Sequence, residues 1–162
     1  MEQIKIRKIS SADNAALAVI IRKNLESYHL DIPGTAYFDS NVDHLSDYYD
    51  ARPATSSYFV LVDEKEQVLG GMGFEKIDAI ENCAELQKLY LKNEAKGKGY
   101  GKILMAHIEA EAKKYGFAKV YLETHSNLRE AVCLYQGLGY KEIPKPDFVV
   151  HTTMDIFLIK DI

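Results

Sequence analysis

Three glycines at alternating positions, Gly97, Gly99 and Gly101, separate a run that reads as a strand from a run that reads as a helix. Glycine lacks the Cβ that would keep a ligand away from the backbone, and it accepts left-handed conformations without steric cost. The first N–H groups of the following helix have no partner inside the helix. They form an anion site that the helix dipole reinforces. Lys96, Lys98 and Lys102 add positive charge at the same end. In a chain of net charge −4 this is a local basic spot, and a pyrophosphate is its natural guest. The spacing excludes two other phosphate loops. A GxxxxGK(S/T) loop would need glycine where Lys96 stands and Ser or Thr where Ile103 stands. A dinucleotide loop would need GxGxxG after the first strand of a βαβ unit, whereas this is GxGxG late in the chain. The bland alternative is a solvated Gly/Lys turn that binds nothing.

The flanking sequence reads as alternating layers. Ile4 to Ile9 alternates apolar and polar residues, as a strand does. Leu17, Ile21, Leu25 and Tyr28 recur at helical spacing, from a Ser10 or Ser11 cap near Asp13 to about His29. Pro33-Gly34 breaks the chain, Asp31 to Asn41 reads as loop, and a short helix follows near Asp43 to Tyr49. Tyr58–Val62 and Val68–Phe74 flank the polar Asp63–Glu66 and predict a hairpin. In the next run, Ala84 to Leu91, the apolar Leu86 and Leu89 have opposite parity. A β-bulge would reconcile them. The glycine loop leads into a helix from about Gly99 to Tyr115, closed by Gly116. A strand at Val120–Thr124 follows, then a helix from Asn127 to about Leu138 closed by Gly139, and late strands at Tyr140–Ile143 and Met154–Ile159. The order β-α-α-β-β-β-α-β-α-β-β predicts a mixed α/β layer fold, a single domain over residues 1–162.

Composition narrows the classes. With 162 residues, 47% hydrophobic and 27% charged, the chain can bury one core without staples. An acidic balance argues against a nucleic-acid partner. Cys83 and Cys133 lie far apart, which suits a reducing compartment. The five histidines form no HExxH, and no Cys/His spacing suggests a metal. The N-terminus lacks an apolar signal core, and no run is long enough for a membrane helix, so the expected location is cytoplasmic, with no membrane partner.

The segment from Glu85 to Glu142 resembles the GNAT superfamily of acetyl-CoA-dependent N-acetyltransferases. That family's loop reads (Q/R)-x-x-G-x-(G/A). Lys96-Gly97-Lys98-Gly99-Tyr100-Gly101 matches it except at the first position, where lysine keeps the charge but not the planar donor group. Asn127 to Tyr140, with Ala131, Leu134-Tyr135 and Gly139-Tyr140, is similar to the second family motif. The whole chain looks like small bacterial members of unassigned substrate. The resemblance implies a central mixed sheet of about six to seven strands, splayed in the middle, with about four helices on both faces. It implies acetyl-CoA as acyl donor without a metal, an amine acceptor that is a small molecule or a peptide, and a homodimer as a reasonable family expectation. It also implies that the pantetheine arm lies in the splay, bonded to backbone around Leu89, Tyr90 and Leu91, with the cofactor completed by Lys96 to Lys102.

Direct attack needs a neutral amine, a stabilised oxyanion and a proton for the departing thiolate. Tyr135 is the candidate acid. Asn127, Ala131 and Tyr135 are spaced four apart and can face one groove. The alternative is a tyrosine that only packs its helix. Glu85 stands six residues before Leu91, where the resemblance implies a catalytic glutamate in some members; it is the candidate base or else a solvated strand-end carboxylate, and many relatives need no dedicated base. His125 is a second candidate base or a loop histidine, and Asn127 either binds cofactor or caps its helix. Cys133 faces away from the stripe and reads as core, and Glu123 reads as structural. The acceptor wall is expected from the first helices and their loop, which carry Tyr28, His29, Asp31, Tyr37, Phe38, Asp39 and Asp43. Acidic groups beside aromatics suit a cationic amine. Two other function classes are a non-catalytic acyl-CoA sensor and a nucleotide-binding protein or kinase.

Overall fold

The computed structural model describes residues 2–162. Its strands and α-helices follow the expected order: β1 (Ile4–Lys8), α1 (Asn14–Ser27), α2 (Leu45–Asp50), β2 (Ser56–Asp63), β3 (Val68–Ile77), β4 (Cys83–Leu91), α3 (Tyr100–Lys114), β5 (Lys119–Thr124), α4 (Arg129–Gly137), β6 (Lys141–Ile143) and β7 (Ile156–Asp161). The seven strands form one mixed sheet in the order β1-β2-β3-β4-β5-β7-β6, antiparallel except where β4 lies beside β5.

Strand β2 shows why helices cover both faces. It is an unbroken apolar run, the signature of a strand buried on both sides. Tyr58, Val60 and Val62 point to α1 and α2, where Leu17, Ile21, Leu25 and Tyr49 complete a core. Phe59 points to the other face, where Met105, Ile108 and Ala112 of α3 and Tyr135 of α4 pack with Phe74, Leu86, Val120 and Leu122. The expected loop Asp31 to Asn41 holds a short 3-10 turn, Ala36–Phe38, with the Thr35 hydroxyl accepting from the Tyr37 N–H. Helix α4 begins two residues later than the pattern suggests, with Leu128 at its N-cap and no side-chain cap. Cys133 is exposed on α4, not core.

The sheet opens in its middle. Strands β4 and β5 pair only from Cys83↔Lys119 to Glu85↔Tyr121 and then part. On the other side of β4 the register slips. Gly71 faces Tyr90 and Gly73 faces Gln87, so β4 carries one extra residue there. Lys88, inside this interval, has φ 53°, a left-handed conformation that a bulge imposes on it. The bulge restores Leu86 and Leu89 to one face, as their parity required.

Candidate active site

The opening between β4 and β5 forms part of a cleft of about 250 Å³. Leu89, Tyr90 and Leu91 line one wall, Ala131 and Tyr135 of α4 the other, and Lys96, Gly97 and Gly101 one end. Gly97 and Gly99 have φ of 76° and 79°, and a Cβ on either would meet nothing within 4 Å. The loop is therefore an open cradle at the start of a 15-residue helix. Its free amides and positive dipole fit a pyrophosphate, and the apolar trough beyond them fits a pantetheine arm. Lys96 lies with Nζ 5.1 Å from the centre of the Tyr28 ring, and its burial lowers its pKa. The Tyr28 hydroxyl donates to Glu130 at 3.2 Å. The Leu91 carbonyl already accepts from the Asn24 amide at 2.8 Å, so of the three expected backbone partners its oxygen is taken.

Tyr135 is 6% exposed, and its ring packs on Tyr140 at 6.0 Å. Its hydroxyl makes no hydrogen bond to another described residue, and burial pushes its pKa well above the usual tyrosine value. Glu85, on β4, lines the same cleft. Burial pushes its carboxyl up to about 7, opposed by a hydrogen bond from the Gln87 amide and reinforced by the Glu123 charge. That bond, from Gln87 Nε2 to Glu85 Oε1, is 2.7 Å long.

The residues around Glu85 account for this arrangement. Glu85 pairs directly with Glu75 across β3 and β4, a like-charge pair that costs stability if unrelieved. Arg52 relieves it, 2.8 Å from Glu75, and the Tyr48 hydroxyl donates to Glu75 at 2.5 Å. Gln87 is held in turn by the Tyr49 hydroxyl, which donates to its Oε1 at 2.7 Å. The Tyr58 hydroxyl donates to the Lys88 carbonyl at the bulge, 2.9 Å away. Both tyrosines lie flat on β3 because Gly71 and Gly73 leave room. A Cβ at Gly73 would fall 2.6 Å from Tyr58 and 3.0 Å from Tyr49.

A second cavity of about 350 Å³ shares Glu85, Gln87, Lys88, Glu123 and His151 with the first. Beyond them, half-buried Asp39 joins two elements. His151 Nε2 lies 2.9 Å and 3.1 Å from its two carboxylate oxygens, and Lys88 Nζ lies 2.9 Å from one of them. Burial alone would raise the Asp39 carboxyl, but the His151 hydrogen bond and the Lys88 charge outweigh it and hold it low. Hydrogen bonding to Asp39 raises His151 against its own desolvation. The loop before β7 is latched to the loop after α1 a second time, by Thr153 Oγ1 donating to the Pro33 carbonyl at 2.7 Å.

Several expected residues lie elsewhere. The Tyr37 hydroxyl turns out to Glu26 at 2.7 Å, and Tyr37 lines neither cavity. His125 also lines neither; its Nδ1 accepts from the Asn127 N–H at 3.0 Å, inside its own turn. Asn127 neither caps α4 nor enters the cleft, and its amide donates to the Tyr28 carbonyl at 3.2 Å. Lys98 and Tyr100 point to Glu2, at 2.7 Å and 3.0 Å, and Lys102 is exposed, so their side chains lie off the cleft. Tyr28, expected on the acceptor wall, lines the cleft beside Lys96 and not the second cavity. Glu123, read as structural, sits in both cavities, with its carboxylate accepting from the Tyr121 hydroxyl at 2.8 Å. Its burial raises its pKa. Gln87, Lys88 and His151 carried no sequence signal beyond the parity slip at the bulge. Among the described residues no group of three or more His, Cys, Asp and Glu could hold a metal ion, and no helix is long and apolar enough to cross a membrane.

The chain is matched over residues 22–140 by the family model described as Acetyltransferase (GNAT) family. It is similar to YjgM, an uncharacterised N-acetyltransferase of Escherichia coli (strain K12). The two are 35% identical over 140 residues, which is 85% of this chain and 82% of the relative. Among solved structures it resembles a GNAT-family acetyltransferase from Staphylococcus aureus, with TM-score 0.83, 16% identity, and 98% and 99% of the two chains covered. It also resembles the PaiA N-acetyltransferase of Thermoplasma acidophilum, solved in complex with coenzyme A, with TM-score 0.78, 22% identity, and 99% of each chain covered.

Proposed function

We propose, from the premise that this chain belongs to the acetyltransferase (GNAT) family and is an acetyl-CoA-dependent N-acetyltransferase, that it acetylates a primary amine by direct attack, with Glu85 as base and Tyr135 as acid. The observation that carries this reading is that both side chains line the one cleft where β4 and β5 part, Glu85 from β4 and Tyr135 from α4. Glu85, held near neutrality by burial, takes a proton from the entering ammonium, directly or through water. The amine nitrogen then forms the C–N bond as the C–S bond of the thioester breaks. Tyr135, kept protonated by burial, donates to the departing thiolate sulfur. The amide product keeps the acetyl group, the second amine proton passes through solvent to restore the Tyr135 phenol, and Glu85 releases its proton to solvent. The glycine loop and Lys96 hold the donor's pyrophosphate, and acetyl-CoA supplies the activated acyl group when bound.

Initial-rate kinetics across both substrates test the order of events. Intersecting double-reciprocal lines are expected for direct attack, and parallel lines would show an acyl-enzyme instead. Tyr135→Phe should lower kcat about 100-fold with the acetyl-CoA KM little changed. Acetyl-CoA binding by calorimetry with no amine-stimulated thiol release would overturn the catalytic reading and leave a binding module.

A further inference from the structure

The second cavity specifies more about the acceptor than that it is an amine, and the acceptor class it points to rests on the transfer reading above. The ionisable groups facing this cavity sort into neutralised and free. Asp39 is bound by both Lys88 and His151, and Glu75 by Arg52. Exposed Lys76 lies 3.6 Å from Asp78. Glu85 and Glu123 are different. Among the described residues neither has an ion-pair partner, and each accepts only from a neutral donor, Gln87 or Tyr121. They lie on the same face of neighbouring strands, since Glu85 pairs with Tyr121 and side chains alternate along a strand. Both belong to the stretch common to the two cavities. The free carboxyls are thus where the two compartments join, and the outer part of the second cavity carries its charges already paired.

The outer wall is apolar. Ile77, Tyr48, Phe148 and Val150 line it. Phe148 is fixed edge-on to Tyr121, ring centres 5.3 Å apart, and Val150 is 82% exposed beside His151. Phe38, next to Asp39 on the facing loop, is 60% exposed. An exposed apolar side chain alone means little. Here Phe38 and Val150 flank the two residues of the Asp39–His151 contact that bounds the cavity.

We propose that the acceptor is a small primary amine with a single positive charge and an aromatic or aliphatic body, its ammonium between Glu85 and Glu123 and its body against Phe148 and Val150. A second ammonium, as in a polyamine, would find Asp39 and Glu75 already engaged by the protein's own cations. A carboxylate beside the amine, as in a free amino acid, would meet two acids with no cation to receive it. A volume of about 350 Å³ also lies at the small-molecule end of binding sites.

The test compares kcat/KM at saturating acetyl-CoA for 2-phenylethylamine, spermidine, L-phenylalanine and a short peptide with a free N-terminus, using the full chain. The expected order places 2-phenylethylamine about tenfold or more above each of the others. L-Phenylalanine isolates the added carboxylate, and spermidine carries added cations on an aliphatic chain. Val150→Asp, at an exposed position where folding is not at stake, should raise the KM for 2-phenylethylamine about fivefold or more. It should leave acetyl-CoA affinity by calorimetry unchanged. Spermidine, L-phenylalanine or the peptide matching or exceeding 2-phenylethylamine would overturn the inference while leaving acetyl transfer intact. An unmoved KM in Val150→Asp would overturn the placement of the apolar body. Acetyl-CoA binding with all four amines inert would overturn the transfer reading itself, and the inference with it.

Discussion

Replacing Glu85 by glutamine should make this protein more stable and less active, and the size of the first effect can be worked from the site. The carboxyl titrates near 4.5 in a solvated chain and near 7 in the fold, chiefly because it is buried. Between those values the native state holds a proton that the unfolded state has released. Stability therefore falls as pH rises through this interval, and the whole loss is present above it. At about 1.4 kcal/mol per pH unit the loss amounts to about 3 kcal/mol. Glu85→Gln keeps an acceptor for the Gln87 amide at almost the same shape and removes the charge. The variant should gain about 3 kcal/mol over the parent at pH 9 and differ from it by less than about 1 kcal/mol at pH 5. For a domain of this size the gain at pH 9 corresponds to a Tm rise of about 6–12 °C. Urea unfolding of both proteins at pH 5, 7 and 9 measures it. Two stability curves that run parallel across this range would refute the argument, because they would show that the carboxyl is as well solvated in the fold as outside it. In the same preparations kcat/KM should lose its rise near pH 7. A variant that is stabilised as expected yet retains that rise would place the base elsewhere.

Individual contacts lead to further expected outcomes. Asp39→Asn leaves the Lys88 ammonium, 7% exposed, without its counter-charge, and should cost about 3 kcal/mol at pH 7 by urea unfolding. Because the Asp39 carboxyl is held low in the fold, parent and variant should converge as pH falls below the solvated value of 3.8, and Lys88→Met added to Asp39→Asn should restore part of the loss. Gly97→Ala should cost about 1 kcal/mol for its left-handed backbone and raise the acetyl-CoA KM. Gly139→Ala, equally left-handed at φ 91° but off the cleft, should match that cost and leave the KM alone. Lys96→Ala should raise the acetyl-CoA KM several-fold while kcat changes less, since one cation beside a pyrophosphate contributes about 1 kcal/mol; an unchanged KM would show that the backbone amides suffice.

The cofactor half of the site was legible because its determinants are local. A glycine loop before a helix, and an Ala131–Tyr135 step on one helix face, can be read without knowing which strands are neighbours. Even the bulge left a trace, since Leu86 and Leu89 cannot share a face without it. Where an expected residue lies off the cleft, its side chain has a partner elsewhere. Tyr37 has Glu26 on the neighbouring helix, His125 has the backbone of its own turn, and Asn127 has the Tyr28 carbonyl. Lys98 and Tyr100 are drawn off the loop by Glu2, which the N-terminal strand brings close from the far end of the sequence.

The proposed acceptor half was hidden for a topological reason. Its acids come from β3, β4, β5 and the loop after α1, and its cations from β3, β4 and the loop before β7. No spacing rule links Glu85 to Glu123, which become neighbours only because β4 and β5 are parallel and joined by a crossover through α3. Their pairing ends at Glu85, so the carboxyls sit where the sheet begins to open and where backbone hydrogen bonding no longer fills the space. Just beyond, the bulge turns Lys88 left-handed and lets its ammonium reach Asp39. One inserted residue thus shifts the β3–β4 register and brings a cation to a half-buried acid. Removing the bulge by deleting Lys88 should therefore impair acetyl-CoA binding and fold stability together, whereas Lys88→Met with Asp39→Asn, which keeps the backbone register, should separate the two.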